Sequence, residues 1–317
     1  MNPLESILRD DALVKEIAGK VPLLQTWLAP TAIGGRESAI RESAVGGGAA
    51  TGTVPMAETR VTAPALTTPG SGPEARNAVE SAVSSAGLNE AIVKRFGRPV
   101  LLVRNDTFEV PASDTWKAIL YPYKSRIDAA IPRVGRVELV SAVPPFLGTA
   151  WMISKDIAVT NRHVALEFAQ RRNGSWEFRR NPVGKQVRVR LDFKEEYLQT
   201  NPLEVEVEEI LFVSELQDSE PDLAFIRLKS NGRPLPPPVP FFDGTMRDKQ
   251  KIAVIGYPAE DPRNGAADQA RIFANIFDVK RVAPGEITSV GEGTVFTHDC
   301  TTLGGNSGSV VIDIETG

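Results

Sequence analysis

Gly304-Gly305-Asn306-Ser307-Gly308-Ser309 lies close to the end of the 317-residue chain and decides how the rest is read. A serine between glycines marks a place where the backbone turns tightly and approaches another group closely. Attack by a hydroxyl on a carbonyl needs such a place: an exposed Ser Oγ, with backbone N–H groups beside it aimed at the oxyanion that forms. Alone, the hexapeptide also fits an ordinary tight turn. Two upstream segments separate these readings, one around His163 and one around Asp222.

Composition narrows the field first. Hydrophobic residues make up 42% and charged residues 24%, as in a globular protein. The net charge of −4 gives no support to a broad nucleic-acid or anionic-membrane surface, so neither partner is expected. The one concentrated basic cluster, Arg171-Arg172 with Arg179-Arg180 around Asn173-Gly174, reads as a solvated hairpin tip. Cys300 is the only cysteine, so an intrachain disulfide cannot form, and a cytoplasmic location is expected. The N-terminus lacks the basic-then-apolar pattern of a signal peptide. No run approaches the ~20 apolar residues of a membrane span.

The chain divides into four segments. Residues 1–28 carry a helical pattern through Leu4, Ile7, Leu8, Leu13, Val14 and Ile17. Residues 29–73, rich in Gly and Pro, read as a flexible linker with too little apolar surface to offset its ordering entropy. Residues 74–126 read as a small α/β cap or docking region. It holds helices over 74–87 and 88–96, a buried strand at Val100–Val103 and a helix capped by Ser113. From about 127 the texture becomes β. Strands are expected at 136–143, 149–153, 157–160, 187–193, 203–213, 223–229, 251–257, 287–290 and 308–314. The Pro-rich 233–240 stretch reads as a crossover between two halves.

His163 and His298 are the only histidines. His163 follows two short strands, where a rigid sheet can hold an imidazole facing a cleft; taken in isolation, it reads better as a hydrogen-bonded structural histidine. Asp222 precedes a strand that alternates Leu223, Phe225 and Arg227 on one face with Ala224, Ile226 and Leu228 on the other. Its carboxylate suits either a solvated turn or a buried acceptor for an imidazole N–H.

Together, Thr160-Asn-Arg-His163, Asp222-Leu-Ala-Phe-Ile and Gly304-Gly-Asn-Ser307-Gly resemble the three active-site segments of trypsin-like (chymotrypsin-fold) serine peptidases. They stand in that family's order of His, Asp and Ser. The resemblance covers roughly residues 130–317. The Gly-Asn-Ser-Gly-Ser variant and the lack of disulfides are most similar to bacterial glutamyl-endopeptidase-like and intracellular trypsin-like members.

The resemblance implies a mainly β, two-barrel chymotrypsin-like fold over 127–317, preceded by the helical and mixed N-terminal region. It implies a serine endopeptidase in which Ser307 attacks, His163 moves the proton and Asp222 orients the imidazole. The N–H groups of Gly305 and Ser307 would form the oxyanion hole. Thr302, five residues before Ser307, matches a hydroxyl at the base of the primary specificity pocket in glutamyl endopeptidases. His298 reads as a structural residue, with a place in the pocket as the alternative, and Cys300 as a small core residue and not a nucleophile. No cofactor is implied, and the wide spacing of two histidines and one cysteine gives no metal-ligand pattern. The substrate would be a protein or peptide, with the chain's own linker (Arg36, Glu37, Arg41, Glu42, Glu58) a candidate. The family's second barrel continues well past the nucleophile, whereas this chain stops ten residues after Ser307. The second barrel is therefore expected to be incomplete at the C-terminus and the fragment alone weakly active or inactive, with a missing C-terminal segment or effector domain beyond. A non-enzymatic alternative is a peptidase-fold regulatory or binding module controlling an effector domain beyond residue 317.

Overall fold

The computed structural model describes residues 98–317 except 112, 141, 143–144, 216–220, 262–263 and 292–295. The helix expected over 1–28, the linker over 29–73 and the helices expected between 74 and 97 lie outside these residues.

Six strands close into the first barrel: β3 (Val134–Leu139), β4 (Phe146–Met152), β5 (Ile157–Thr160), β8 (Val189–Asp192), β9 (Glu204–Val213) and β10 (Ala224–Leu228), in the order β10-β5-β4-β3-β8-β9. β9 shows why. Val205 and Val207 alternate with Glu204 and Glu206, so one face is apolar. The strict period then breaks at Glu208-Glu209. Pairing with β10 absorbs the break: Arg227 lies opposite Glu209 and Leu228 opposite Val207, leaving Glu208 as an extra residue. A second shift near Phe225 leaves Leu211 unmatched. Such bulges sharpen the twist that barrel closure needs. Ala150, Met152, Leu191, Phe193 and Ile226 fill the interior. A hairpin of β6 (Ala169–Arg172) and β7 (Ser175–Phe178) carries the exposed arginines at its tip, where Asn173 and Gly174 both adopt positive φ.

The second half is a sheet with the order β14-β11-β12-β1-β2, with β13 also on β12. Its members are β1 (Leu101–Arg104), β2 (Thr107–Phe108), β11 (Lys251–Gly256), β12 (Arg281–Val290), β13 (Phe296–His298) and β14 (Val310–Asp313). The fold is thus mainly β and of the chymotrypsin-like two-barrel type. The described part of the 74–126 segment packs into this half. Val103, Phe108 and Leu120 are buried with Ile255, Val282 and Ile312. β1 and β2 form a hairpin across Asn105 and Asp106, both at positive φ. Ser113 Oγ accepts from the Trp116 N–H (3.5 Å) at the start of α1 (Asp114–Leu120), the expected cap. A second helix, α2 (Lys124–Ala130), buries Ile127 and Ala130, and Ile131 follows them into the core.

β4 serves both cores. Its alternate residues Ala150 and Met152 face the first barrel, while Phe146 and Trp151 pack against the second half. Lys280 ties the halves together from within, and Arg281 beside it braces the second half. Lys280 Nζ donates to the Ile131 (3.0 Å) and Phe193 (2.7 Å) carbonyls and lies 3.6 Å from Glu196 Oε1. Burial lowers its pKa to about 8 despite the Glu196 charge. Arg281 donates to the carbonyls of Val100, Phe273 and Ile276.

Candidate active site

β5 leads directly into α3 (Arg162–Leu166), whose Val164 and Ala165 are buried and fix the short helix against the barrel. β10 runs antiparallel to β5 with Ala224 opposite Thr160. Two residues back along β10 and two forward along β5, that register sets Asp222 beside Arg162 and His163. The contacts follow. Asp222 Oδ1 accepts the His163 N–H (3.2 Å), and Asp222 Oδ2 lies 2.6 Å from His163 Nδ1. Asn161 Nδ2 donates to the Asp222 carbonyl (2.7 Å). His163 Nε2 lies 2.7 Å from Ser307 Oγ. An ionised carboxylate can only accept, so the tautomer that satisfies the chain carries its proton on Nδ1 and leaves Nε2 to accept from the serine hydroxyl. Burial pushes the Asp222 pKa upward. The hydrogen bonds and charge of His163, with the Arg162 charge, outweigh it and hold the carboxyl below its ordinary value.

The serine sits in a loop whose carbonyls are pinned in succession. Gly304 O accepts from Ala259 N–H (2.6 Å) and Asn306 O from Ser309 N–H (2.8 Å). Gly305 O accepts from Thr149 Oγ1 (2.9 Å), and Ser307 O from Thr149 N–H (2.8 Å). In a planar trans peptide the N–H points opposite the carbonyl. Anchoring the Gly304 and Asn306 carbonyls therefore sets the directions of the Gly305 and Ser307 N–H groups. Gly305 and Gly308 adopt φ of +87° and +84°. At Gly305 a Cβ would lie 2.5 Å from the Tyr257 carbonyl, and at Gly308 it would lie 2.1 Å from the Thr149 carbonyl. Asn306 braces the turn: its Nδ2 donates to Leu303 O (3.3 Å) and its Oδ1 accepts from Ser309 Oγ (3.2 Å).

His163, Asp222 and Ser307, far apart in sequence, are thus brought into one hydrogen-bonded row. Thr302 is buried in the segment joining β13 to this loop. His298 lies on β13, its ring 6.3 Å from that of Phe296. Cys300 is fully buried, and burial pushes its thiol pKa up, away from reactivity. Among the described residues, Glu138, Asp192 and Glu195 converge closely enough to suggest a cation site. Arg136 Nε (2.8 Å) and Arg190 Nε (2.7 Å) already occupy the two Glu138 oxygens, and Arg136 also reaches Glu195 (3.0 Å). Sequence reasoning missed two neighbours of the row. Arg162 Nε lies 3.7 Å from Asp222 Oδ1, and its place directly before His163 was the available signal. Thr149 gave none, since a threonine in a strand is ordinary.

Residues 148–317, more than half of the chain, match the trypsin-like peptidase domain family. The chain belongs to the trypsin-like peptidase family. Among curated proteins, none matches the sequence. Solved structures similar to this peptidase include Deg5, with 16% identity over 65% of this chain and 84% of that one and a TM-score of 0.41. The serine endoprotease from Yersinia pestis shares 20% identity over 65% of this peptidase and 55% of its own chain, with a TM-score of 0.38. The Rv3671c protease in its inactive form shares 18% identity over 62% and 78% of the two chains, with a TM-score of 0.35. No helix of the peptidase among the described residues is long and apolar enough to cross a membrane.

Proposed function

We propose that this trypsin-like serine peptidase is an endopeptidase working through His163, Asp222 and Ser307. The observation that carries the reading is the unbroken row from Asp222 Oδ2 through His163 (2.6 Å) to Ser307 Oγ (2.7 Å). Ser307 Oγ attacks the scissile carbonyl carbon while its proton passes to His163 Nε2. The oxyanion that develops is held by the Gly305 and Ser307 N–H groups, each such donor worth about 10²–10³ in turnover. The C–N bond then breaks, and His163 returns the proton to the leaving amine. Water, deprotonated by the same imidazole, attacks the Ser307 ester; the acyl C–Oγ bond breaks, His163 returns the proton to Ser307 Oγ, and the acid leaves. Asp222 keeps the proton on Nδ1 and stabilises the imidazolium in both halves of the cycle.

Thr302 is the candidate residue at the base of the primary pocket, where a hydroxyl suits a carboxylate side chain; cleavage after glutamate is the corresponding expectation. Protein substrates are the class, with the chain's own 29–73 segment a specific candidate. A single cysteine supports a reducing, cytoplasmic setting, and a place in a larger bacterial multidomain protein fits the segmented organisation.

Casein digestion tests the reading. The wild type should release peptides, and Ser307→Ala and His163→Ala should each reduce release to background. Mass-mapped termini after Glu would support the pocket assignment, and termini after Arg or Lys would overturn it. Fragments within 29–73 from wild type but not from Ser307→Ala would establish self-processing. Casein turnover undiminished by either substitution would refute the triad.

A further inference from the structure

We propose that Thr149 is a positioning residue for the peptidase, its hydroxyl and backbone together setting the oxyanion-binding loop against His163. The inference rests on the assignment of Ser307 as nucleophile and of the Gly305 and Ser307 N–H groups as oxyanion donors.

Thr149 is wholly buried on β4 of the first barrel. It makes four hydrogen bonds, and each reaches a different part of the site. Its N–H donates to the Ser307 carbonyl (2.8 Å) and its Oγ1 donates to the Gly305 carbonyl (2.9 Å). The same Oγ1 accepts from the Tyr257 N–H (3.3 Å), on the second-half segment whose Ala259 N–H holds Gly304 O. Its own carbonyl accepts from Thr160 Oγ1 (2.7 Å), three residues before His163. A threonine hydroxyl has one proton and two lone pairs, so donor and acceptor functions are both engaged here.

The consequence is a relay across the two halves. Thr160 fixes Thr149 relative to the strand that delivers His163. Thr149 fixes the peptides on either side of Asn306-Ser307. Loss of the hydroxyl alone would leave the Thr149 N–H bond in place and release the Gly305 carbonyl, the peptide unit next to the Gly305 N–H. A buried carbonyl without its donor reorients to find another. The N–H directions set by this loop would move with it. The Thr149 hydroxyl is buried and engaged within the protein as both donor and acceptor, so its loss should fall on the chemical step and not on substrate binding.

The test is the rate of phosphonylation by a fluorophosphonate, resolved into the maximal rate kinact and the half-saturating concentration KI. Wild type, Thr149→Val, Thr149→Ser and Ser307→Ala are compared. Thr149→Val should lower kinact by about ten- to a hundredfold, the scale of sub-ångström to ångström misplacement, with KI within about twofold. Thr149→Ser, which restores the donor without the methyl, should recover kinact to within a few-fold. If Thr149→Val does not fold by circular dichroism, Thr149→Cys, which keeps the volume and weakens the donor, should show the same fall in kinact. Unchanged kinact in the folded Val or Cys variant overturns the proposal. So does equal impairment of the Ser variant, which would make the methyl's packing the active feature. Undiminished labelling of Ser307→Ala would instead overturn the nucleophile assignment, a result separate from any Thr149 outcome.

Discussion

Replacing Gly308 by alanine separates the two demands that the Ser307 loop makes on its glycines. Gly308 has φ +84°, a region that costs a non-glycine residue about 1–2 kcal/mol. An added Cβ would also lie 2.1 Å from the Thr149 carbonyl oxygen and 2.6 Å from Thr160 Oγ1. The carbonyl belongs to a barrel strand and is itself held by Thr160, so it cannot step aside; overpacking of this kind costs about 1–3 kcal/mol. Gly308→Ala should therefore destabilise by about 2–5 kcal/mol, a large part of the ~5–15 kcal/mol that holds a domain together. Gly174 supplies the control: its φ is +82°, yet a Cβ there meets nothing within 4 Å. Gly174→Ala should show the backbone cost alone. Urea denaturation of both variants gives the difference, which isolates the contact with Thr149 and Thr160. Because relief must come from moving Ser307, Gly308→Ala should also lose about a hundredfold or more in casein turnover, and Gly174→Ala should lose none. Equal stabilities for the two variants, or a Gly308→Ala enzyme of normal turnover, would refute the reasoning.

Asp222→Asn should lower casein turnover about 10⁴-fold with an unchanged circular dichroism spectrum, since the amide favours the wrong imidazole tautomer. The Asp222 carboxyl is held below its ordinary pKa, so its stabilising effect is complete above the unfolded value near 4 and is lost as pH falls through the lower folded value. The stability gap between wild type and Asp222→Asn, followed by urea titration, should close in that acidic window. Lys280→Met should destabilise by about 3–5 kcal/mol, because it strips the buried Ile131 and Phe193 carbonyls of their donor and leaves Glu196 with just Lys194 Nζ (3.7 Å) as cation among the described residues, and adding Glu196→Leu should recover part of the loss in thermal melts. The depressed Lys280 pKa of about 8 gives a pH slope of the same sign in a different window: the unfolded chain binds the extra proton between there and ~10.4, so stability attributable to Lys280 should rise across that range. Cys300 should resist a thiol reagent such as dithionitrobenzoate in the native protein and react once in urea, whereas native-state labelling would contradict its burial.

The barrel strands were legible because their chemistry is local. Glu204–Val207 alternates and Ile157–Thr160 is a short apolar run bounded by turn residues. The expected run 136–143 instead begins at Val134 and ends at Leu139, a shift at the boundaries where propensity says least. The pattern marks β12 only from Ile287, although the strand starts at Arg281. Lys280, Arg281, Pro284 and Gly285 look like a loop, and only tertiary carbonyls make two buried cations tolerable there. α2 was missed because its apolar positions are few and a proline-containing turn precedes it. At the site, His163, Asp222 and Ser307 were visible as family segments, and the β5–β10 register explains why two of them meet. Thr149 was invisible for a physical reason: its role lies in which carbonyls it faces, and strand patterning carries no information about that.

The most direct measurement is labelling of the 317-residue chain with a fluorophosphonate, located by peptide mapping. The row already assembled in this chain predicts, in place of the weak or absent activity expected from the sequence, one phosphonyl adduct on Ser307, absent from Ser307→Ala and strongly slowed in His163→Ala. An adduct on another residue, or labelling of Ser307 at the same rate without His163, would contradict it.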